Sequence, residues 1–359
     1  MYSESDLESA VAAGVISAQQ AAALRTHVAG SRSTPAVDEE HFRLLTGFND
    51  IFVGIAAVIL LVAVAWIGNA IPPNLGFDGP SPWSGAAVAL TAWGLAEFFT
   101  RRRRMALPSI ILLLAFVGGV IAAAGFSLTL MIGEAALRDN NVLTGSVVAA
   151  SGAIGAAAAW LHWRRFMVPI TVAAGAAALV GLGFGMLQML LGRTQGLSDI
   201  MLGFGLMLGV GVFLFAMWWD ASDPRRETRR SDVAFWLHLL AAPLIVHPVF
   251  SLLGLTEGSA TVLEATVVLL VYVLLGLTAL AIDRRALLVS ALAYVLYALN
   301  SLFRTYGSVE LSVALTALVI GSALLLLSAF WHSARRGVVQ PLPEGLRSKL
   351  PVVERVATA

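Results

Sequence analysis

Ten stretches of almost unbroken apolar residues, at 51–71, 83–100, 106–132, 142–163, 166–191, 200–219, 233–255, 260–282, 286–303 and 311–331, leave this chain few ways to fold. An α-helix needs roughly 17–25 residues to cross the ~30 Å hydrocarbon core of a bilayer, and tilt absorbs any excess. Backbone in lipid must satisfy its own hydrogen bonds, so runs of this length read as helices. The expected fold class is all-α: a polytopic integral membrane protein with ten transmembrane helices. Of the 359 residues 58% are hydrophobic and only 13% charged, which excludes a soluble globular enzyme. With no cysteine, disulfides, thiolate metal sites and thiol nucleophiles are excluded as well.

Basic residues set the orientation, because short cytoplasmic loops retain Arg and Lys. The N-terminal segment, the loops after every even-numbered window and the C-terminal tail together hold 20 of the 23 basic residues, among them Arg101 to Arg104, Arg164, Arg165, Arg229, Arg230, Arg284 and Arg285. Only Arg138, Arg193 and Arg304 fall on the other side. Missing or inventing one helix would break this alternation, so both termini are expected in the cytoplasm. Some 50 mixed-charge residues precede the first window with no cleavable signal, and the first helix is expected to serve as an uncleaved anchor. Trp66, Trp83, Trp160, Trp163, Trp218, Trp219 and Trp331 stand near window ends, where amphipathic rings settle at the headgroups.

The chain divides by composition into a cytoplasmic helical hairpin (1–30), a linker and entry to the first helix (31–50), the bundle (51–331) and a cytoplasmic tail (332–359). In the hairpin, Ser3 or Ser5 can cap a first helix that Gly14 ends, and Ser17 with Gln20 has the spacing of a capping box for a second. Leu7, Val11, Val15, Ile16, Ala21 and Leu24 are too few for an independent core, so the hairpin is expected either to dock on a cytoplasmic or membrane partner or to lie against its own bundle.

The run VAAGVISAQQAAAL, the acidic linker after it and the polytopic bundle resemble the uncharacterised bacterial polytopic membrane proteins of the domain-of-unknown-function 2157 type. AIDRRALLVSALAYVLYAL near the end is similar to that pattern too. The resemblance implies a multi-pass protein of a bacterial cytoplasmic (inner) membrane and carries over no catalytic residue.

Small residues suggest where helices meet, since close backbone approach substitutes in lipid for the hydrophobic effect. Ser151, Gly155 and Ala159 lie four apart, as do Gly205 and Gly209, and Gly181, Gly183 and Gly185 cluster in the fifth window. Double arginines at 103–104, 164–165, 229–230 and 284–285 recur at roughly hairpin length, either through a two-helix duplication or as the loop-charge rule alone would produce.

Ionisable groups inside a membrane are costly and point to function. Glu97 is explained by Arg101 one turn on, Asn49 and Asp50 by the positive end of the first helix, and His162 and His332 by an interfacial position. Helix seven is different. Pro243 and Pro248 each remove a donor, freeing the carbonyls of Leu239 and Leu244, and predict a kinked or broken span. His247 beside the second break lies about 12 Å below the external end, and Glu264 in helix eight about 6 Å below it. With Gln188 and Asn300 one turn below the external ends of helices five and nine, and Glu134, Glu257 and Arg304 at the boundary, two readings are open: these residues line an outward-facing polar vestibule, or His247 is neutral and bonded to a freed carbonyl while Glu264 reaches the headgroups.

No phosphate-binding glycine loop, zinc-protease motif, nucleophile elbow or EF-hand loop is present, and His238 and His247 are nine apart rather than four. The expected set is therefore no catalytic residues, no metal, no cofactor, and no nucleic acid among the partners, which reduce to the lipid bilayer and a possible protein bound through residues 1–30. The leading reading is a transporter or channel-like permease for a small solute or ion. A non-transporting scaffold or regulatory subunit and an intramembrane enzyme acting on lipid are the alternatives.

Overall fold

The computed structural model describes residues 4–31, 48–76, 79–138, 140–192, 197–224, 226, 228–252, 262–285, 288, 292, 295–296, 312–347 and 350–351. These form two compact units, residues 1–43 and 44–359. The described residues are all-helical.

In the first unit α1 (Glu4–Ala12) and α2 (Ala18–Ser31) are joined at Gly14, whose φ of +72° suits a residue without a Cβ. The capping box is formed: Ser17 N–H donates to Gln20 Oε1 at 2.8 Å, and Gln20 N–H donates to Ser17 Oγ at 3.1 Å. Leu7 and Ala21 are buried while Val15 stands exposed.

The second unit contains α3 (Phe48–Asn69), α4 (Pro82–Phe99), α5 (Ala106–Ile132), the short α6 (Glu134–Arg138), α7 (Asn141–Phe166), α8 (Ile170–Leu191), α9 (Leu197–Ala221), α10 (Arg229–Leu252), α11 (Val262–Ile282), α12 (Ser312–Ala329), α13 (Trp331–Val339) and α14 (Glu344–Arg347). Six of these, α3, α5, α7, α8, α9 and α10, are single helices long and apolar enough to cross a membrane. The second apolar window became α4, 18 residues that include Glu97, and the eighth became α11. The tenth became α12, after which the chain turns by 71° into α13. The ninth window lies almost wholly outside the described residues. Large apolar side chains face outward along the helices, with Phe52 67%, Ile59 65% and Leu190 81% exposed. A surface of that kind is covered by lipid, as in a helical membrane protein.

Helices adjacent in sequence pack most closely: α4 with α5, α7 with α8, and α9 with α10. Small residues make these contacts. On α4, Gly85, Ala89, Ala92 and Ala96 form a buried stripe, and a Cβ added at Gly85 would stand 2.6 Å from the Gly119 carbonyl oxygen of α5. Between α7 and α8 the pairing is Gly145, Ala149 and Gly152 against Gly185 and Leu182, while Gly155 faces Ile121 of α5. On α9, Gly209 faces the Leu244 backbone of α10, while Gly205 faces the Phe184 ring of α8 first and Pro248 of α10 next.

The break expected in helix seven is absent, for α10 runs through both Pro243 and Pro248 as one helix. The carbonyl of Leu244, deprived of its donor by Pro248, lies 2.8 Å from where a Cβ of Gly209 would be. With no side chain at 209, the α9 backbone comes close to this oxygen. Two further expectations change. His162 is buried rather than interfacial, its ring 4.6 Å from Phe166, 5.8 Å from Phe116 and 6.2 Å from Trp93 between centroids. Trp331 is buried rather than belt-forming, because the turn into α13 brings it inward.

Candidate functional site

Two features at opposite ends of α9 and α10 stand out chemically. The first is a cleft of about 630 Å³ bounded by Phe184 of α8, Ser198 and Asp199 in the first turn of α9, and Pro243, His247 and Pro248 of α10. Ser251 near the end of α10 and Gly205 inside α9 also line it. From Ser251 to Pro243 it descends about 12 Å at 1.5 Å per residue. Three of the residues singled out on sequence, His247, Pro243 and Pro248, thus meet in one concavity, and the carboxylate that joins them is Asp199. Gln188, half-buried in the last turn of α8, is not among its lining residues. Glu264 belongs to the first turn of α11, but its side chain, like Asn300, Glu257 and Arg304, lies outside the described residues. Glu134 pairs at 3.9 Å with Arg138 on α6.

The second feature is a buried network of charge where α9 stops, α10 starts and α11 stops. α9 ends before Asp223 and Pro224, and Asp223 accepts from the Thr228 N–H at 2.9 Å and the Thr228 hydroxyl at 2.7 Å, closing the connecting loop. Thr228 Oγ1 in turn accepts from Arg230 N–H and caps α10. α11 ends in a Schellman motif, with Arg284 N–H donating to the Ala279 carbonyl at 2.9 Å and Asp283 N–H donating to the Leu280 carbonyl at 3.3 Å. That motif needs a left-handed residue at Asp283, whose φ is +58°. Glycine fits there without strain, so the aspartate is held by what its side chain does. It accepts from Arg226 at 2.9 Å and from the Trp331 indole N–H at 2.7 Å, and Arg335 lies 3.7 Å away.

The motif also turns Arg284 back beneath α9, where Asp220 waits. Arg284 donates to both carboxylate oxygens of Asp220, through Nη2 and, at 3.2 Å, through Nε. Nη2 further donates to the carbonyl of Ser231 at 3.1 Å and to its hydroxyl at 3.2 Å. His238, one face inward on α10, places Nε2 3.0 Å from Asp220 Oδ2. Asp220, Asp223, Asp283, Arg284, Arg335 and His238 are all buried, and the Arg226 side chain is 4% exposed. Three aspartates face three guanidiniums, so the network is neutral when His238 is neutral. Burial pushes the Arg226 guanidinium down from its ordinary value, Arg284 adding to the push and Asp283 opposing it; arginine nonetheless keeps its charge.

The C-terminal segment straps the network from outside. α13 buries Trp331, Arg335 and Val339 on one face; Arg335 Nη2 donates to the Pro351 carbonyl at 2.7 Å, and the Arg285 guanidinium lies 4.8 Å over the Trp331 ring.

Sequence reasoning had dismissed or passed over every member of this network. Arg284 counted only as loop charge, His238 only against a metal spacing, and Asp220 sat just past a window end. Glu97 was read as pairing with Arg101, and does so at 3.3 Å, but it also takes a bidentate pair from Arg165 at 2.6 and 2.9 Å that ties α4 to α7. Among the described residues no group of three or more His, Asp and Glu side chains is placed to hold a metal ion. No family model matches the chain, and neither a curated protein nor a solved structure matches it.

Proposed function

We propose that the protein is a carrier for a small solute or ion in a bacterial cytoplasmic membrane, built on ten spans with both termini in the cytoplasm. The reading rests on one observation: α9 and α10 carry at one end a mostly apolar cleft that holds Asp199 and His247, and a sealed charge network at the other. His238 and His247 are nine residues apart on α10, about 14 Å along its axis. An entry vestibule above and a closed inner gate below, on the same two helices, is the arrangement that alternating access requires. Its volume suits a small ligand, within the ~300–1,000 Å³ of common binding pockets. The excess of basic residues on one side supports the orientation, with the network facing the cytoplasm.

Reconstitution into liposomes tests the activity. A panel of amino acids, polyols and alkali cations should contain a member that equilibrates faster than in empty vesicles. Gly205→Trp, which fills the cleft against Phe184 and Pro248, should abolish that flux. If no member of the panel moves, the reading passes to a scaffold acting through the N-terminal hairpin, and a partner should then co-purify only with the chain that retains residues 1–40.

Orientation is tested separately in this cysteine-free chain. Cysteines introduced as Asp78→Cys and Arg138→Cys should react with an impermeant maleimide applied outside intact cells, and Arg102→Cys should react only after lysis. Labelling of Arg102→Cys in intact cells would overturn the topology.

A further inference from the structure

The carrier reading leaves open what drives it, and the buried network answers with a chemistry of its own. Nε2 of His238 faces a carboxylate, which only accepts, so the neutral ring carries its hydrogen on Nε2. Its other nitrogen, Nδ1, is buried and without a hydrogen-bond partner among the described residues. A bare imidazole lone pair inside a membrane-spanning helix, one bond away from an aspartate, is an open proton-binding position. We propose that His238 is the coupling-ion site of the carrier and that the ion is a proton, bound at Nδ1 from hydronium on the cytoplasmic side.

The surroundings give that proton leverage. The charged groups around the ring are Asp220 from α9, Asp223 and Arg226 from the following loop, Asp283 and Arg284 from the turn after α11, and Arg335 from α13. Ser231 of α10 adds hydrogen-bonding capacity, Phe213 of α9 lies edge-on at 5.3 Å, and α8 carries no ionisable side chain. Three acids and three guanidiniums balance. A proton on His238 makes the sum positive by one in a space closed to water, and gives Asp220 two cations where one suffices. Arg284 is the one that can leave, because it is mounted on a turn beyond α11 and its departure unwinds neither α9 nor α10. Protonation of His238 thus competes with Arg284 for Asp220, and release of Arg284 opens the inner end. When the proton departs, Arg284 returns and closes it.

This inference deepens the carrier reading, and two measurements separate the fates of the two. In the first, the full-length protein in detergent is labelled with ¹⁵N-histidine, and the His238 resonance is assigned in the wild type by its through-space contact with the Phe213 ring and checked with His238→Gln. It should pass from the neutral pattern, protonated at Nε2, to imidazolium on acidification. Arg284→Gln, which removes the competitor, should raise the midpoint by at least one pH unit, a tenfold gain in proton affinity. Asp220→Asn should lower it by at least as much. Opposite signs are what the ring's bond to Asp220 and the guanidinium that shares that carboxylate require, and the coupling role itself is read from the flux measurement. Absence of titration between pH 4 and 9 in the wild type, or shifts of the same sign in the two variants, overturns the proposal without touching the carrier reading. In the second, an imposed pH gradient should accelerate solute flux in vesicles at least tenfold, and His238→Gln should leave only the gradient-independent part. Flux indifferent to the gradient overturns the coupling role, whereas titration of His238 with no flux of any solute overturns the carrier.

Discussion

Asp220→Ala is expected to destabilise the protein by about 3–5 kcal/mol, since it strands the Arg284 guanidinium in a buried site without a counter-charge. The loss is larger than the worth of the pair, because what is measured is the penalty of the orphan. Asp220→Ala combined with Arg284→Met removes both buried charges together, so most of the loss should be recovered. Denaturant unfolding in micelles measures both. A single variant as stable as the wild type, or a double variant no better than the single, would show that the network is solvated and does not seal this end of the bundle.

Gly185→Val should be comparably damaging for a steric reason. A Cβ there would stand 2.3 Å from the Ala149 amide nitrogen and 2.7 Å from the Gly145 carbonyl oxygen, both backbone, which cannot step aside as a side chain can. Separating α7 from α8 is expected to cost at least the upper end of the about 1–3 kcal/mol typical of overpacking. Gly181, one turn earlier on the same helix, has nothing within 4 Å of a built Cβ. Gly181→Ala should therefore be neutral or stabilise by up to about 1 kcal/mol through helix propensity. Equal effects of the two substitutions would contradict the α7–α8 contact.

These two glycines also mark how far a sequence can be read. Gly181, Gly183 and Gly185 are indistinguishable by composition and spacing, yet one is locked between backbones and another faces open space. Apolar length and period identify the helices because each is a local property of 20 or so residues. They do not identify which small residue faces which neighbour, since α7 carries one small face toward α8 and a second, at Gly155, toward α5. Prolines 243 and 248 misled for a related reason: the lost hydrogen bonds are local, but Gly209, which lets α9 close over the freed Leu244 carbonyl, stands on another helix. The cleft was legible in part, through His247 and the two prolines, whereas Asp199 passed as an ordinary acidic residue near a helix start. The charge network was not legible at all. An arginine after a window is what the membrane's own charge rule puts there, and nothing near Arg284 in the chain announces an aspartate 64 residues earlier. One trace was present in the backbone requirement itself, an aspartate standing where a helix C-terminus favours glycine.

The strap formed by α13 has a consequence for how the protein is made. At a synthesis rate of about 5–20 residues per second, Asp220 leaves the ribosome roughly 3–13 s before Arg284, 64 residues later. Trp331, 48 residues beyond Asp283, follows after a further ~2–10 s. Throughout that interval Asp220 has only His238 beside it, and Asp283 has Arg226 but neither Trp331 nor Arg335. The contacts of α4 with α5 and of α7 with α8, in contrast, close as soon as each helical hairpin is complete. Assembly therefore runs in two stages, an early one by shape and a late one by charge, and the late stage is finished only when α13 has emerged. A chain that stops short of α13 leaves Asp283 with Arg226 but without the Trp331 indole and the Arg335 guanidinium that complete its surroundings.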